Sequence, residues 1–299
     1  MAGGTGSAKL LRGLKELPVE LTVICNIGDN YVWQGLRVCP DIDIAMYALA
    51  GTADEERGWG LKGDTFHTLS ELGRLGADTW FRMGDRDLAT SILRTELLSK
   101  GMTLTEITEE LSRRQGLVPK LLPVTDDPLE THVLTPAGEL HLQEFWVRGR
   151  GKGRVTGVVY QGDRKARISN SAKREILAAD RLVICPANPV TSIGPMLAVK
   201  GVVEALVRAA GRVSALSPMI GKAPISGPAK KLMTATGIRP DSVGVAEFYS
   251  RFLDVLIIDR ADASLRKEVV KAVPGCRLSE IAIRGPSDAI RLAKELIAA

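Results

Sequence analysis

The strongest constraint on the fold is an alternation of two kinds of segment along the chain. Residues 21–26 (LTVICN), 181–186 (RLVICP), 212–217 (RVSALS) and 253–259 (LDVLIID) are short apolar runs that read as buried strands. Helical spacing marks residues 8–16, 42–50, 202–210 and 286–298. Parallel strands cannot be joined by a tight turn and need a crossover, usually a helix. The alternation therefore predicts βαβ units around a parallel sheet. The expected architecture is one α/β domain over residues 1–299, Rossmann-like, with helices on both faces of the sheet.

The rhythm breaks in the middle. Residues 87–100 and 104–114 both read as amphipathic helices with no strand between them, and Thr103 with Glu106 gives the second a capping box. This predicts a small helical insertion over residues 85–121. Residues 131–135 and 139–146 then alternate around Pro136-Ala137-Gly138, a hairpin signal. Residues 148–154 (RGRGKGR) form a basic, glycine-rich loop whose ordinary role is a solvated turn.

Composition removes several classes of function. Aromatics are 4% of the chain and the net charge is only +5, with no Lys/Arg run dense enough for a nucleic-acid groove. A mild positive charge suits an anionic small substrate. Cys25, Cys39, Cys185 and Cys276 form no C-x-x-C pair, and free thiols fit a reducing compartment. No signal peptide and no apolar stretch of about 18 residues is seen. A cytoplasmic protein with no membrane partner is expected. The histidines, His67, His132 and His141, show no zinc spacing, and no G-x-S-x-G elbow occurs.

In open α/β sheets, ligands bind beyond the carboxyl ends of the strands. Those ends are rich in turn residues here: Ile27-Gly28-Asp29-Asn30, then Asn188 to Gly194, then Pro218 to Lys222 with Ser226-Gly227-Pro228. The loop Gly3-Gly4-Thr5-Gly6-Ser7, followed by Lys9 on a helix, has the pattern of a phosphate cradle. Glycines admit a phosphate close to the backbone, and the free N–H groups at the helix start donate to it. It is not a Walker A loop. In the block Pro40-Asp41-Ile42-Asp43, both acids could serve the helix N-terminus, or one could bind Mg²⁺ or orient a hydroxyl. Arg82 to Asp87 (RMGDRD) is either a surface charge network or a clamp on a polar ligand.

Together, AGGTGSAKLLRGL, NIGDN, GLRVCPDIDIAMYAL, GDTFHTL, WFRMGDRDLAT, ICPANPVTSIGPMLAV and LSPMIGKAPISGPAKKLM resemble the 2-phospho-L-lactate transferase family of coenzyme F-420 biosynthesis. The resemblance runs from Gly3 to about Asp259. It implies transfer of a phospho-three-carbon-acid group, of the phospholactate or phosphoenolpyruvate type, from a guanosine diphosphate-activated donor. The acceptor would be the terminal ribityl hydroxyl of the deazaflavin FO, with release of GMP, a requirement for Mg²⁺ and a homodimeric state. On the family pattern, Asp43 is the catalytic acid beside the reacting hydroxyl, and Asp43 and Arg82 contact FO. Gly3, Gly4, Thr5, Gly6, Ser7, Lys9, Asn188, Ser192 and Gly194 face the nucleotide, and Asp41 and Asp43 are the candidates for the metal. Ala187 stands where the family's S-N-P-x-x-S-I-G segment usually begins with Ser.

Two other classes compete. A nucleotide-sugar-binding regulator of the gluconeogenesis-factor type resembles the same fold and loop but lacks the CPDID and GDRD blocks. A nicotinamide dehydrogenase would need a third glycine at position 9, which is Lys9. The family also places a buried strand before the loop, where this chain has only Met1 and Ala2. The expectation is that the loop lacks an anchor on the sheet and that an N-terminally extended chain binds GDP more tightly.

Overall fold

The computed structural model describes residues 1–221, 223–224 and 228–299, so Lys222, Ile225, Ser226 and Gly227 lie outside the described residues. The chain opens with helix α1 (Gly4–Leu14), strand β1 (Thr22–Cys25) and a short hairpin, β2 (Tyr31–Trp33) with β3 (Leu36–Val38). Helices α2 (Pro40–Ala50), α3 (His67–Arg74), α4 (Asp85–Ser99) and α5 (Leu104–Arg114) lead into β4 (Lys120–Pro123). An antiparallel unit follows, made of β5 (Glu130–Thr135), β6 (Gly138–His141) and β7 (Gly157–Gln161). Then come α6 (Asn170–Ala178), β8 (Arg181–Ile184), α7 (Gly194–Ala198), α8 (Val202–Arg208) and β9 (Arg212–Leu216). The short pair β10 (Met219–Ile220) and β11 (Ala223–Pro224) precedes α9 (Ala229–Ala235) and α10 (Ser242–Tyr249). The chain closes with β12 (Val255–Asp259), α11 (Arg266–Ala272), β13 (Gly275–Ser279) and α12 (Pro286–Ile297).

β1 pairs with β4, and β8, β9, β12 and β13 pair in that order, all in parallel. Met1 and Ala2 join the two blocks. The Ala2 N–H donates to Ile24 O and Asn26 N–H donates to Ala2 O, while the terminal amine of Met1 donates to Val183 O and Cys185 N–H donates to Met1 O. The order across the sheet is thus β4, β1, Met1–Ala2, β8, β9, β12, β13. From Met1–Ala2 the chain first builds the β1–β4 side and then crosses to the β8 side. That reversal is a topological switch point, where a crevice opens at the carboxyl ends of the strands. The expectation of an unanchored loop is corrected here, because two residues hydrogen-bonded on both sides hold it on the sheet. Below them, a cavity of about 630 Å³ separates β1 from β8, lined by Leu21, Val23, Leu182 and Val183.

The helices form as their spacing dictates. In α12, Ala289, Leu292, Ala293 and Leu296 are buried at helical intervals, and in α1 so are Leu10, Leu11 and Leu14. Burying each such leucine contributes roughly 1.5–3 kcal/mol. A smaller separate core gathers Trp33, Val38, Phe81 and Met83, with Tyr31 and Trp80 packed against it. The hairpin expected around Pro136-Ala137-Gly138 is present as β5–β6, but its second strand ends at His141, and residues Glu144–Arg148 turn into a π-helix. No helix among the described residues is long and apolar enough to cross a membrane.

Candidate active site

At the switch point the loop from Gly3 runs into α1 and meets the turn after β8. A small cavity of about 120 Å³ lies there, lined by Gly3, Gly4, Thr5 and Gly6 on one side and Asn188 and Ser192 on the other. Asp29 and Trp146 also line it. Gly3 must be a glycine. A Cβ at that position would lie 2.7 Å from Asp41 Oδ2 and 2.9 Å from Ser192 Cβ. Ser7, Lys9 and Gly194 do not line the cavity. The Ser7 hydroxyl folds back on Gly3, accepting from its N–H at 3.0 Å and donating to its carbonyl at 2.8 Å. Lys9 is exposed on α1, and Gly194 begins α7 against Tyr160. Asn188 Oδ1 accepts from Val190 N–H at 2.9 Å, while its buried Nδ2 has no partner among the described residues. A buried donor without a partner is costly unless a ligand supplies an acceptor.

Pro40 sits in the first turn of α2, where its missing N–H costs nothing, and Asp41 and Asp43 follow it. Residues two apart on a helix face different ways. Asp41 turns to the glycine loop and accepts from Gly4 N–H at 2.8 Å and from Asn26 Nδ2 at 2.8 Å. It therefore caps α1 across the site rather than its own helix. Asn26 Nδ2 also reaches Asp29 Oδ1 at 3.1 Å and Thr191 O at 3.2 Å. An amide nitrogen has two hydrogens, so these three acceptors exceed what it can satisfy at once. Burial pushes the Asp41 carboxyl up to about 6, against hydrogen bonds that hold it down. Burial also raises Asp29 well above the carboxylate range, and the nearby charge of Asp41 adds to that. Buried Asp41 and half-buried Asp29 thus stand beside the glycine loop with no ion-pair partner among the described residues.

Asp43 turns the other way, onto Arg94 of α4. The Arg94 guanidinium grips both carboxylate oxygens, with Nη1 to Oδ2 at 3.1 Å and a second bond from Nη2 to Oδ1. Both side chains are buried. Burial raises the Asp43 carboxyl while the charge and hydrogen bonds of Arg94 lower it. Beside this pair, Tyr47 donates to Asp87 at 2.8 Å, and burial together with the charge of Asp43 pushes Asp87 up to about 7. Arg82 is exposed ahead of α4, its guanidinium 5.4 Å from the Phe66 ring centre. It makes no hydrogen bond to Asp43 among the described residues. Its neighbours work on helix ends: Asp85 accepts from His67 and Thr68 N–H in the first turn of α3, and Asp64 accepts from Arg86 and Asp87 N–H in the first turn of α4.

Sequence reasoning missed Arg94, because its partner lies 51 residues away and no local spacing marks the pair. It also missed the clamp on the Asp29 loop. Gln143 Nε2 donates to Asp29 O and His141 Nε2 to Asn30 O, each at 3.1 Å. Glu130, His132 and His141 bring ligand atoms within 4.8 Å of one another, but both ring nitrogens of His141 are engaged by backbone, so the trio is not an open metal site.

Fold and site define a Rossmann-like α/β enzyme with its site at the switch point. A profile of the family described as "2-phospho-L-lactate transferase CofD" matches residues 1–275. The chain belongs to this family and is a transferase. It is 41% identical over 281 residues to a 2-phospho-L-lactate transferase of Methanosarcina acetivorans, covering 93% of this chain and 90% of that one. It is 42% identical over 301 residues to one of Methanopyrus kandleri, covering 99% and 95%. A phosphoenolpyruvate transferase of Streptomyces griseus is equally similar, 42% over 285 residues, covering 93% and 90%. Among solved structures, a UPF0052 family protein of Bacillus halodurans shares the fold, with a TM-score of 0.65 and 17% identity over 99% of this chain and 97% of that one.

Proposed function

We propose that the protein transfers a phospho-three-carbon-acid group from a guanosine diphosphate-linked donor to the terminal ribityl hydroxyl of FO, releasing GMP. The observation that carries this reading is the small cavity at the switch point, where the start of α1 and the orphan Nδ2 of Asn188 converge. With Gly4 N–H taken by Asp41 and Gly3 N–H by Ser7, the N–H groups of Thr5 and Gly6 are left at the helix start to favour an anion. A volume of about 120 Å³ suits a diphosphate and is too small for a nucleoside. Relatives named for phospholactate and for phosphoenolpyruvate at equal identity support an acid of either type.

The hydroxyl of FO forms its bond to the phosphorus that carries the acid as the bridging P–O bond to GMP breaks. Asp43, fixed by Arg94, keeps a free lone pair on each oxygen to accept from that hydroxyl. Asp29 and Asp41 fit Mg²⁺, a hard cation that prefers carboxylate oxygen. When bound, it would neutralise charge on the diphosphate as the P–O bond breaks. Asp43, committed to Arg94, is left out of that pair. Half-buried Tyr31 and Trp80, packed on the buried Trp33 and Phe81 on the side of α4 and Arg82, supply flat apolar surface for a deazaflavin.

A thermal-shift series tests the reading. GDP and FO should each raise the melting temperature, by about 3 kcal/mol of stability at a hundred-fold excess over Kd. Stabilisation by sugar nucleotides but by neither GDP nor FO would replace it with the regulator reading.

A further inference from the structure

The turn between β1 and β2, which carries Asp29 to the wall of the phosphate cavity, has no regular secondary structure of its own. Three consecutive carbonyls tie it to the antiparallel unit and the π-helix behind it. Gly28 O accepts from Thr131 N–H at 2.7 Å, Asp29 O from Gln143 Nε2 at 3.1 Å and Asn30 O from His141 Nε2 at 3.1 Å. Each carbonyl lies in a planar peptide unit. Holding Gly28 O and Asp29 O therefore sets the planes on both sides of the Asp29 Cα, and with them the direction in which its carboxylate leaves the chain. The packing is close, since a Cβ on Gly28 would lie 2.6 Å from Thr131 Oγ1.

Two of the three bonds run through His141. Its Nε2 holds Asn30 O directly, and its Nδ1 accepts at 3.1 Å from the N–H of Gln143, the residue whose side chain holds Asp29 O. With Nδ1 accepting, the ring proton sits on Nε2, the nitrogen that faces Asn30 O. Burial lowers the pKa of the ring and keeps it neutral. The ring packs between Tyr31 and His132, with centres 4.7 and 5.3 Å away, and Glu139 in turn holds His132 Nδ1 at 2.9 Å. His141 does not line the cavity, whereas Gln143 does. Resting on the assignment of Mg²⁺ to Asp29 and Asp41 above, we infer that His141 is a positioning residue for the metal site, acting through Asn30 O and Gln143 on the Asp29 carboxylate. Groups that orient a metal ligand in this way set metal affinity by about 10–100-fold. A histidine with no informative spacing in the sequence thus gains its role from the turn it braces.

The test titrates Mn²⁺, a carboxylate-seeking stand-in for Mg²⁺, into the full chain and counts the free ion by electron paramagnetic resonance. His141→Phe keeps the bulk of the ring and loses both nitrogens. It should weaken Mn²⁺ about 10–100-fold while the number of sites per folded molecule stays the same. A role in folding alone would lower the number of sites and leave the affinity of each. His141→Gln, which keeps a donor for Asn30 O, should bind Mn²⁺ more tightly than the Phe variant. Asp29→Asn should weaken Mn²⁺ at least as much as His141→Phe, and adding His141→Phe to it should cost little more, because residues that act through one group are not additive. Unchanged affinity in His141→Phe, or losses that add in full in the double variant, overturns the positioning role alone. Unchanged affinity in Asp29→Asn overturns the metal assignment beneath it.

Discussion

Replacing Asp43 by Asn is expected to lower turnover by about 10²–10³-fold, the usual cost of one well-placed polar group at a reacting centre. The structure adds a second effect. Asn leaves the buried Arg94 without its counter-charge, and breaking a buried ion pair on one side costs about 3–5 kcal/mol. The single variant should therefore also melt at lower temperature, and its rate must be taken per folded molecule. Asp43→Asn combined with Arg94→Met removes the stranded charge. The double variant should regain most of the lost stability and none of the lost rate. Recovery of both together would make Asp43 a structural partner of Arg94 and nothing more, and full turnover in the single variant would end the catalytic assignment outright.

Chelation of divalent metal is expected to abolish transfer, since a metal at a phosphoryl group supplies several kcal/mol of charge stabilisation and each 1.36 kcal/mol is ten-fold in rate. The metal-free protein carries a readout of its own. Asp41 is pushed up to about 6 when folded, against about 3.9 for a carboxyl in the unfolded chain. Above pH 6 both states are ionised and the buried charge destabilises the fold, on the order of 3 kcal/mol for this group. As pH falls through 6, the folded state takes up a proton before the unfolded chain does, so stability rises, and the gain is complete near pH 4. Without metal, melting temperature should climb from pH 8 to pH 5; with Mg²⁺ the Asp41 part of that slope should flatten. Asp87, pushed up to about 7 beside Tyr47 and Asp43, should contribute a slope that magnesium leaves alone and that Asp87→Asn removes. Melting curves with and without Mg²⁺ check this, and an identical slope in both would remove Asp41 from the metal site.

How much was legible in the sequence depends on the range of each interaction. The strands at 181–184, 212–216 and 255–259 are buried on both faces and so announce themselves as apolar runs. β13 (GCRLS) is an edge strand with an exposed arginine, and β4 (KLLP) is short and ends in proline; neither carries that signal. The glycine loop was legible because its geometry is local. So, in principle, was the divergence of Asp41 and Asp43, since two residues of a helix turn separate their faces. The union of Asp29 with Asp41 through Asn26, and of Asp43 with Arg94, depends on pairing across elements, which no local spacing encodes.

The central claim is tested most directly by incubating the protein with FO, Mg²⁺ and, in turn, the guanosine diphosphate derivatives of phospholactate, phosphoenolpyruvate and 3-phosphoglycerate, and weighing the products. At least one donor should give FO carrying the phospho-acid through a phosphodiester, with GMP in equal amount. No such product from any donor, by a protein that is folded and metal-loaded, would contradict the account.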